Sequence, residues 1–190
     1  MKRVRGVWNR SGRRPGSFGP RGTRAAVSSA ALLLLPFLSA RLGGQSVSPL
    51  FEVAAGSGSE TGLSASWGDT QFVVAVRGDG SDDAMIGVRT VTADGQVGGF
   101  QSTGSRGTTV ANSHPVIAFD GARHLLAWAT TAGAIRGRFV AVDGTFPEAA
   151  FAIHNGTDAI VEDIACNGTD YLVLWRENSG QDLHARRIAT

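Results

Sequence analysis

The chain is poor in cysteine, with one in 190 residues, and poor in charge, with 18% Asp, Glu, Lys and Arg. A single cysteine excludes an internal disulfide and any cysteine-clustered zinc or iron–sulfur site. Lysine is confined to Lys2, and no acid occurs before Glu52. From Arg41 onward ten arginines stand against all sixteen acids, a balance of −6. Such a body offers no counter-charge to a phosphate backbone, so a nucleic-acid partner is excluded at its first requirement. No stretch beyond the N-terminal leader keeps a helical period, and GxSxG, Walker, HExxH and dinucleotide-binding patterns are absent. What the chain does have is glycine, 26 residues, about twice the average share. That combination points to turn-rich β structure.

Residues 1–45 form a leader. Lys2 and seven arginines precede the apolar run Ala25–Ala40, AAVSSAALLLLPFLSA. The run is short for a membrane span, which needs roughly 20 residues, and Pro36 tells against one uninterrupted core helix. This is the pattern of an export signal, which predicts a secreted or cell-envelope protein. Cleavage is expected after Ala40 or near Gly44–Ser46, and an uncleaved membrane anchor is the alternative. No cysteine follows the run, so a lipid anchor is excluded. Pro15 and Gly16 after Arg13-Arg14 depart from the twin-arginine pattern.

Residues 46–190 repeat. LSASWGDTQFVVAV from Leu63, VIAFDGARHLLAW from Val116 and DIACNGTDYLVLW from Asp163 align on Gly68, Gly121 and Gly168. In that alignment Ala75, Trp128 and Trp175 share one level, and Gln71, His124 and Tyr171 another. Downstream, Arg89, Arg138 and Arg186 share a frame, and Asp94-Gly95 and Asp143-Gly144 close the first two copies. Phe51-Glu-Val-Ala, Phe100-Gln-Ser-Thr and Phe151-Ala-Ile-His form a further block. Asp120-Gly121 and Asn167-Gly168 lie between apolar runs, a strong hairpin signal. Runs such as HLLAW and YLVLW are apolar on both faces and must be covered on both sides. For the middle unit the strands are predicted at Val116–Phe119, His124–Ala129, Ile135–Val142 and Phe151–His154.

Four-stranded units of about 50 residues that bury both faces are the blades of β-propellers. The predicted fold is therefore all-β: a partial β-propeller of about three four-stranded antiparallel blades, preceded by an N-terminal signal helix. The units fall at about 63–103, 115–154 and 162–190, with 51–54 completing the last. Pro115–Trp128 with Ile135–Gly144, and less fully Asp163–Arg186 and Leu63–Gly95, resemble a family of bacterial secreted repeat proteins. The resemblance implies a propeller-type repeat and no shared catalytic residues. Three blades fall short of the four to eight of closed propellers. Self-association of two chains into a ring, missing further repeats in a longer product, and an open arc all remain as outcomes.

Candidate chemistry is sparse. Asp79, Ser81 and Asp83 alternate oxygen ligands as a calcium loop does, although Ala84-Met85 follows where a glycine would. Glu177–Asp182 is a fainter echo of the same loop. The four histidines, His114, His124, His154 and His184, show no metal spacing, and His124 reads as a surface or edge-strand residue. The recurrent arginines are expected to cap backbone carbonyls or pair with a neighbouring blade's acid, rather than to ring a channel. Trp128 and Trp175 are expected in inter-blade core rather than as sugar platforms. Cys166 reads as a buried small hydrophobe. The function that follows is an exported, non-enzymatic binding or structural module with a carbohydrate or protein ligand and no cofactor besides calcium. The alternative is a remnant of a propeller-fold glycosidase or lyase, which would need convergent carboxylates.

Overall fold

The computed structural model describes residues 50–53, 61–78, 84–107, 114–177 and 181–190. The leader and the Asp79, Ser81 and Asp83 loop lie outside the described residues. Among those residues every regular element is a strand: β1 (Thr61–Gly68), β2 (Gln71–Arg77), β3 (Met85–Thr92), β4 (Gln101–Arg106), β5 (Val116–Phe119), β6 (His124–Ala129), β7 (Ile135–Val140), β8 (Phe151–His154), β9 (Ile160–Cys166), β10 (Asp170–Glu177) and β11 (Asp182–Ala189). No described helix is long and apolar enough to cross a membrane.

The strands form three antiparallel sheets, each a meander in chain order: β1-β2-β3-β4, β5-β6-β7-β8 and β9-β10-β11. β1 lies beside β5, and β5 beside β9, so the first strand of each sheet sits next to its counterpart. This is the architecture of a partial β-propeller.

The two-sided apolarity of β6 now has its cause. All six of its residues are buried. Leu126 and Trp128 join Val73, Ala75, Ile86 and Val88 in a core between the first and second sheets. Leu125 and Ala127 turn the other way, onto Val161, Tyr171, Val173 and Trp175 of the third. Trp128 and Trp175 thus occupy successive junctions rather than one common two-sheet core. Each large side chain buried this way is worth about 1.5–3 kcal/mol.

One correction to the repeat alignment emerges. The left-handed residue of the β1–β2 hairpin is Asp69, with φ 64°, where the second and third hairpins use Gly121 and Gly168, with φ 106° and 91°. Asp69, not Gly68, is therefore equivalent to those glycines. Matching glycine to glycine shifts the first unit by one residue, which exchanges the faces of its strand. Val76, rather than Ala75, stands at the level of Trp128 and Trp175. Phe72, rather than Gln71, stands at the level of His124 and Tyr171. The arginine frame survives: Arg89 pairs with Val74, Arg138 with Leu126 and Arg186 with Val173, each five residues after its hairpin's left-handed position. Gly68 serves a different need, since a Cβ there would lie 2.3 Å from His124 Nε2.

The segment expected to complete the last blade sits elsewhere. Leu50–Val53 contains no strand; Phe51 lies against Gly95 and Val53 packs with Val74, Val76 and Val91 of the first sheet. The third sheet has three strands among the described residues, with β11 at its edge.

Candidate functional site

The β1–β2, β5–β6 and β9–β10 turns lie at one end of the sheets together with the β3–β4 and β7–β8 turns, and there Asp120, Asp143 and Asn167 serve the backbone. Asp120 Oδ1 accepts hydrogen bonds from the N–H groups of Ala122 and Arg123 at 2.7 and 2.8 Å. Asn167 Oδ1 does the same for Thr169 and Asp170 at 2.9 and 2.8 Å. Partial burial opposes the charge of Asp120, but those N–H donors and the nearby Arg123 outweigh it and hold the carboxyl below its usual range. Thr145, through its hydroxyl and its N–H, does likewise for Asp143. Acids fixed in this way are poor proton carriers near neutral pH.

His124 is not a surface residue. It is fully buried, and neither ring nitrogen has a hydrogen-bond partner. Burial drives its pKa down to about 4, against a smaller upward pull from Asp120. The ring packs beside Phe119 at 4.7 Å between centroids. Matching Gly68 to Gly121 hides this burial, because it sets polar Gln71 rather than Phe72 at the level of His124. Tyr171, one unit on, is buried too and donates from its hydroxyl to Arg123 O at 2.8 Å. Burial, with Asp120 adding, pushes that phenol well above its ordinary range.

At the opposite end the structure joins residues that spacing left apart. Trp175 and His184 are cross-strand partners in the β10–β11 hairpin, with rings stacked at 5.7 Å and 17°. His154, from the end of β8 in the neighbouring sheet, lies 5.3 Å from the Trp175 ring. Glu177 gathers all three: its Oε1 accepts from Trp175 Nε1 at 2.6 Å and lies 2.6 Å from His154 Nε2, while its Oε2 is 3.8 Å from His184 Nε2. The hairpin register alone predicts the Trp175–His184 pair. His154 comes from another sheet, and no local signal announces it. Glu177, read as the start of a faint calcium loop, is thus committed to an aromatic cluster. Among the described residues no group of three or more His, Cys, Asp or Glu side chains is arranged to hold a metal ion.

A second carboxylate lies nearby but looks away. β9 bulges between its pairings with Leu174 and Trp175, and Glu162 in the bulge pairs with Arg176. Alternation along β10 sends Trp175 and Glu177 toward the second sheet and Arg176 to the opposite face. The two carboxylates are therefore on opposite sides of the third sheet, each with its own partner. Trp128 and Trp175 are 1% and 4% exposed, so neither offers a ring face to a sugar. Cys166 is only half-buried; it packs against the core and borders a shallow hollow with Leu172 and Arg187.

Two of the three recurrent arginines clamp sheet to sheet. Arg138 donates to Thr103 O, on β4 of the preceding sheet, at 3.0 Å, and to Glu148 O at 2.8 Å. Arg186 donates to Ile153 O, on β8 of its preceding sheet. Thr103 and Ile153 stand at the same level of their strands, since Ser102 pairs with Gly87 and Ala152 with Arg136. Arg89 departs from the pattern. It donates to Gly98 O of its own sheet at 3.3 Å, and its Nε is buried without a hydrogen-bond partner.

No family model matches the chain, and no curated protein matches it. Among solved structures it is similar to an α-L-arabinofuranosidase from Clostridium thermocellum, with 15% sequence identity and a TM-score of 0.46 over 69% of this chain and 47% of that one. The chain spans about half the length of that protein.

Proposed function

We propose that this chain is an exported propeller-type module that binds or displays a carbohydrate or protein ligand and has no catalysis of its own. One observation carries the reading: Glu162 and Glu177 look to opposite faces of the third sheet, one held by Arg176 and the other by Trp175 and His154. Acid–base cleavage of a glycosidic bond needs two carboxyl groups flanking one substrate, in retaining enzymes about 5 Å apart. Two of the described turn acids, Asp120 and Asp143, accept hydrogen bonds from backbone N–H groups that hold their carboxyls below the usual range. Tryptophans at the junctions and arginines on carbonyls are spent on assembling the sheets, which leaves recognition to loops.

The test pairs a glycan array with a panel of glycosidase and lyase substrates, using the full chain and its Glu177→Gln variant. Saturable binding without turnover supports the proposal. Turnover that Glu177→Gln abolishes, while the melting transition stays in place, overturns it in favour of a carbohydrate-active enzyme.

A further inference from the structure

We infer that Phe51–Val53 of one copy of this chain is the fourth strand of another copy's third sheet, joining two chains head to tail. Three separate features of the molecule converge on that contact.

The first is an open edge. β3 and β7 are each hydrogen-bonded on both sides, to β2 and β4 and to β6 and β8. Their counterpart β11 has a partner on one side only among the described residues, and Asp182–Arg187 are all exposed. An eight-residue exposed edge presents a ladder of unpaired N–H and C=O groups that templates a further strand.

The second is a segment with the right sequence in a provisional seat. Phe51-Glu-Val parallels Phe151-Ala-Ile of β8, and it precedes β1 as β8 precedes β9. Yet it carries no strand, Leu50 is 101% exposed and Phe51 45% exposed, and both line a hollow of about 490 Å³ with Phe72 and Val91. On β7, Phe151 pairs with Gly137, where a Cβ would meet its ring at 2.9 Å. The counterpart of Gly137 on β11 is Ala185, whose Cβ fills the space that the Phe151 ring uses beside Gly137, so the Phe51 ring takes a different rotamer, turned along the strand toward Arg187. Next to it Arg187 takes the level of Phe139, which packs on Phe151 at 5.5 Å. The Arg187 side chain is 76% exposed, with a loose 3.6 Å approach to Asp170, and is free to cover an aromatic ring.

The third is Arg89. Arg138 and Arg186 bond to carbonyls 35 and 33 residues earlier, each on the third residue of a fourth strand. Val53 is the third residue of the segment and precedes Arg89 by 36 residues. Once Phe51–Val53 is extended on β11 of another copy, Val53 O takes the place of Thr103 O and Ile153 O, and Arg89 Nη1, which otherwise reaches only Gly98 O, gains the inter-sheet acceptor that Nη1 of Arg138 and Arg186 already has. The first sheet of one chain then stacks on the outer face of the other's third sheet, covering Leu172 and Leu183, which are 43% and 71% exposed. The contact is heterologous, so it closes into a ring or propagates according to its rotation.

The experiment uses the full chain in two singly substituted forms, Phe51→Cys and Ala185→Cys, both carrying Cys166→Ser. Mixed under mild oxidation, they should give a disulfide between unlike chains, while light scattering on the unsubstituted chain gives at least twice the chain mass. Phe51→Asp, outside every strand, should weaken association at least about tenfold, equivalent to about 1.4 kcal/mol, and leave the melting transition unchanged. Arg187→Glu should weaken it independently. Monomers at micromolar concentration with no mixed disulfide overturn the proposal. So does a chain bearing both cysteines that closes only upon itself, because the occupant of β11 would then be its own N-terminal segment.

Discussion

The second and third sheets are built from the same repeat and end up in different surroundings. Leu125 and Leu172 occupy equivalent positions, each four residues after its hairpin glycine, yet Leu125 is 0% and Leu172 43% exposed. Phe139 on β7 is 7% exposed, whereas Arg187 at its level on β11 is largely in solvent. Among the described residues the second sheet is covered by a neighbour on both faces and the third on one. In a stacked array stability is close to a sum over units and nearest-neighbour interfaces, so a residue's worth is set by whether its face has a neighbour.

The sharpest way to break that comparison is to truncate both leucines. Leu125→Ala should cost about 2–5 kcal/mol in denaturant unfolding, the range for a fully buried leucine. Leu172→Ala should cost under about 1 kcal/mol, because half of its surface already meets water. Equal losses would mean that the outer face of the third sheet is covered in the free chain.

His124 sharpens it through pH. Its folded pKa of about 4 lies below the ordinary 6.5 because burial disfavours the charged ring. Below pH 6.5 the unfolded chain takes up a proton that the folded chain refuses, so stability is full above that pH and declines as pH falls toward 4. The loss amounts to as much as about 3 kcal/mol. His124→Phe, with the residue that the first unit carries as Phe72, should flatten urea midpoints across that window. A slope that survives the substitution would assign the acid sensitivity to another group.

The inter-sheet arginines come next. Arg138→Ala should cost about 1–2 kcal/mol, as expected for loss of charge-assisted bonds to carbonyls that then lie partly buried. Arg89→Ala, measured in dilute chain, should cost under about 0.5 kcal/mol, because its counterpart acceptor is unmet. A large loss at Arg89 would show that its bond to Gly98 O is itself a structural clamp.

Much of this was legible in the sequence, and the parts that were not have one physical source. Strand positions in the second sheet followed from β-branched and aromatic runs bounded by Asp-Gly and Asn-Gly, which act locally. The burial of Trp128 and Trp175 at separate junctions followed from the repeat. His124, the His154–Trp175–Glu177 cluster and the seat of Phe51–Val53 depend on contacts between sheets, where spacing along the chain says nothing. The arginine frame was visible, but its partners were not, because Thr103 and Ile153 contribute backbone oxygens that any residue would supply.

The displaced first unit gives the smallest and cleanest measurement. A glycine is recognisable in a sequence, whereas a left-handed backbone is not, and in the β1–β2 hairpin the two fall on adjacent residues. Asp69 holds φ 64°, a conformation that costs an L-residue about 1–2 kcal/mol, less for Asp, whose short polar side chain tolerates it best. Asp69→Gly should therefore stabilise the chain by about 0.5 kcal/mol, the relief of strain being offset by the greater freedom of glycine in the unfolded state. Gly68→Ala should destabilise it, because the new Cβ would meet His124 Nε2 at 2.3 Å. Opposite signs at neighbouring positions would fix the left-handed residue at 69. If instead 68 tolerated alanine and 69 gained nothing from glycine, the glycine-matched alignment would be restored and Ala75, not Val76, would return to the level of the tryptophans.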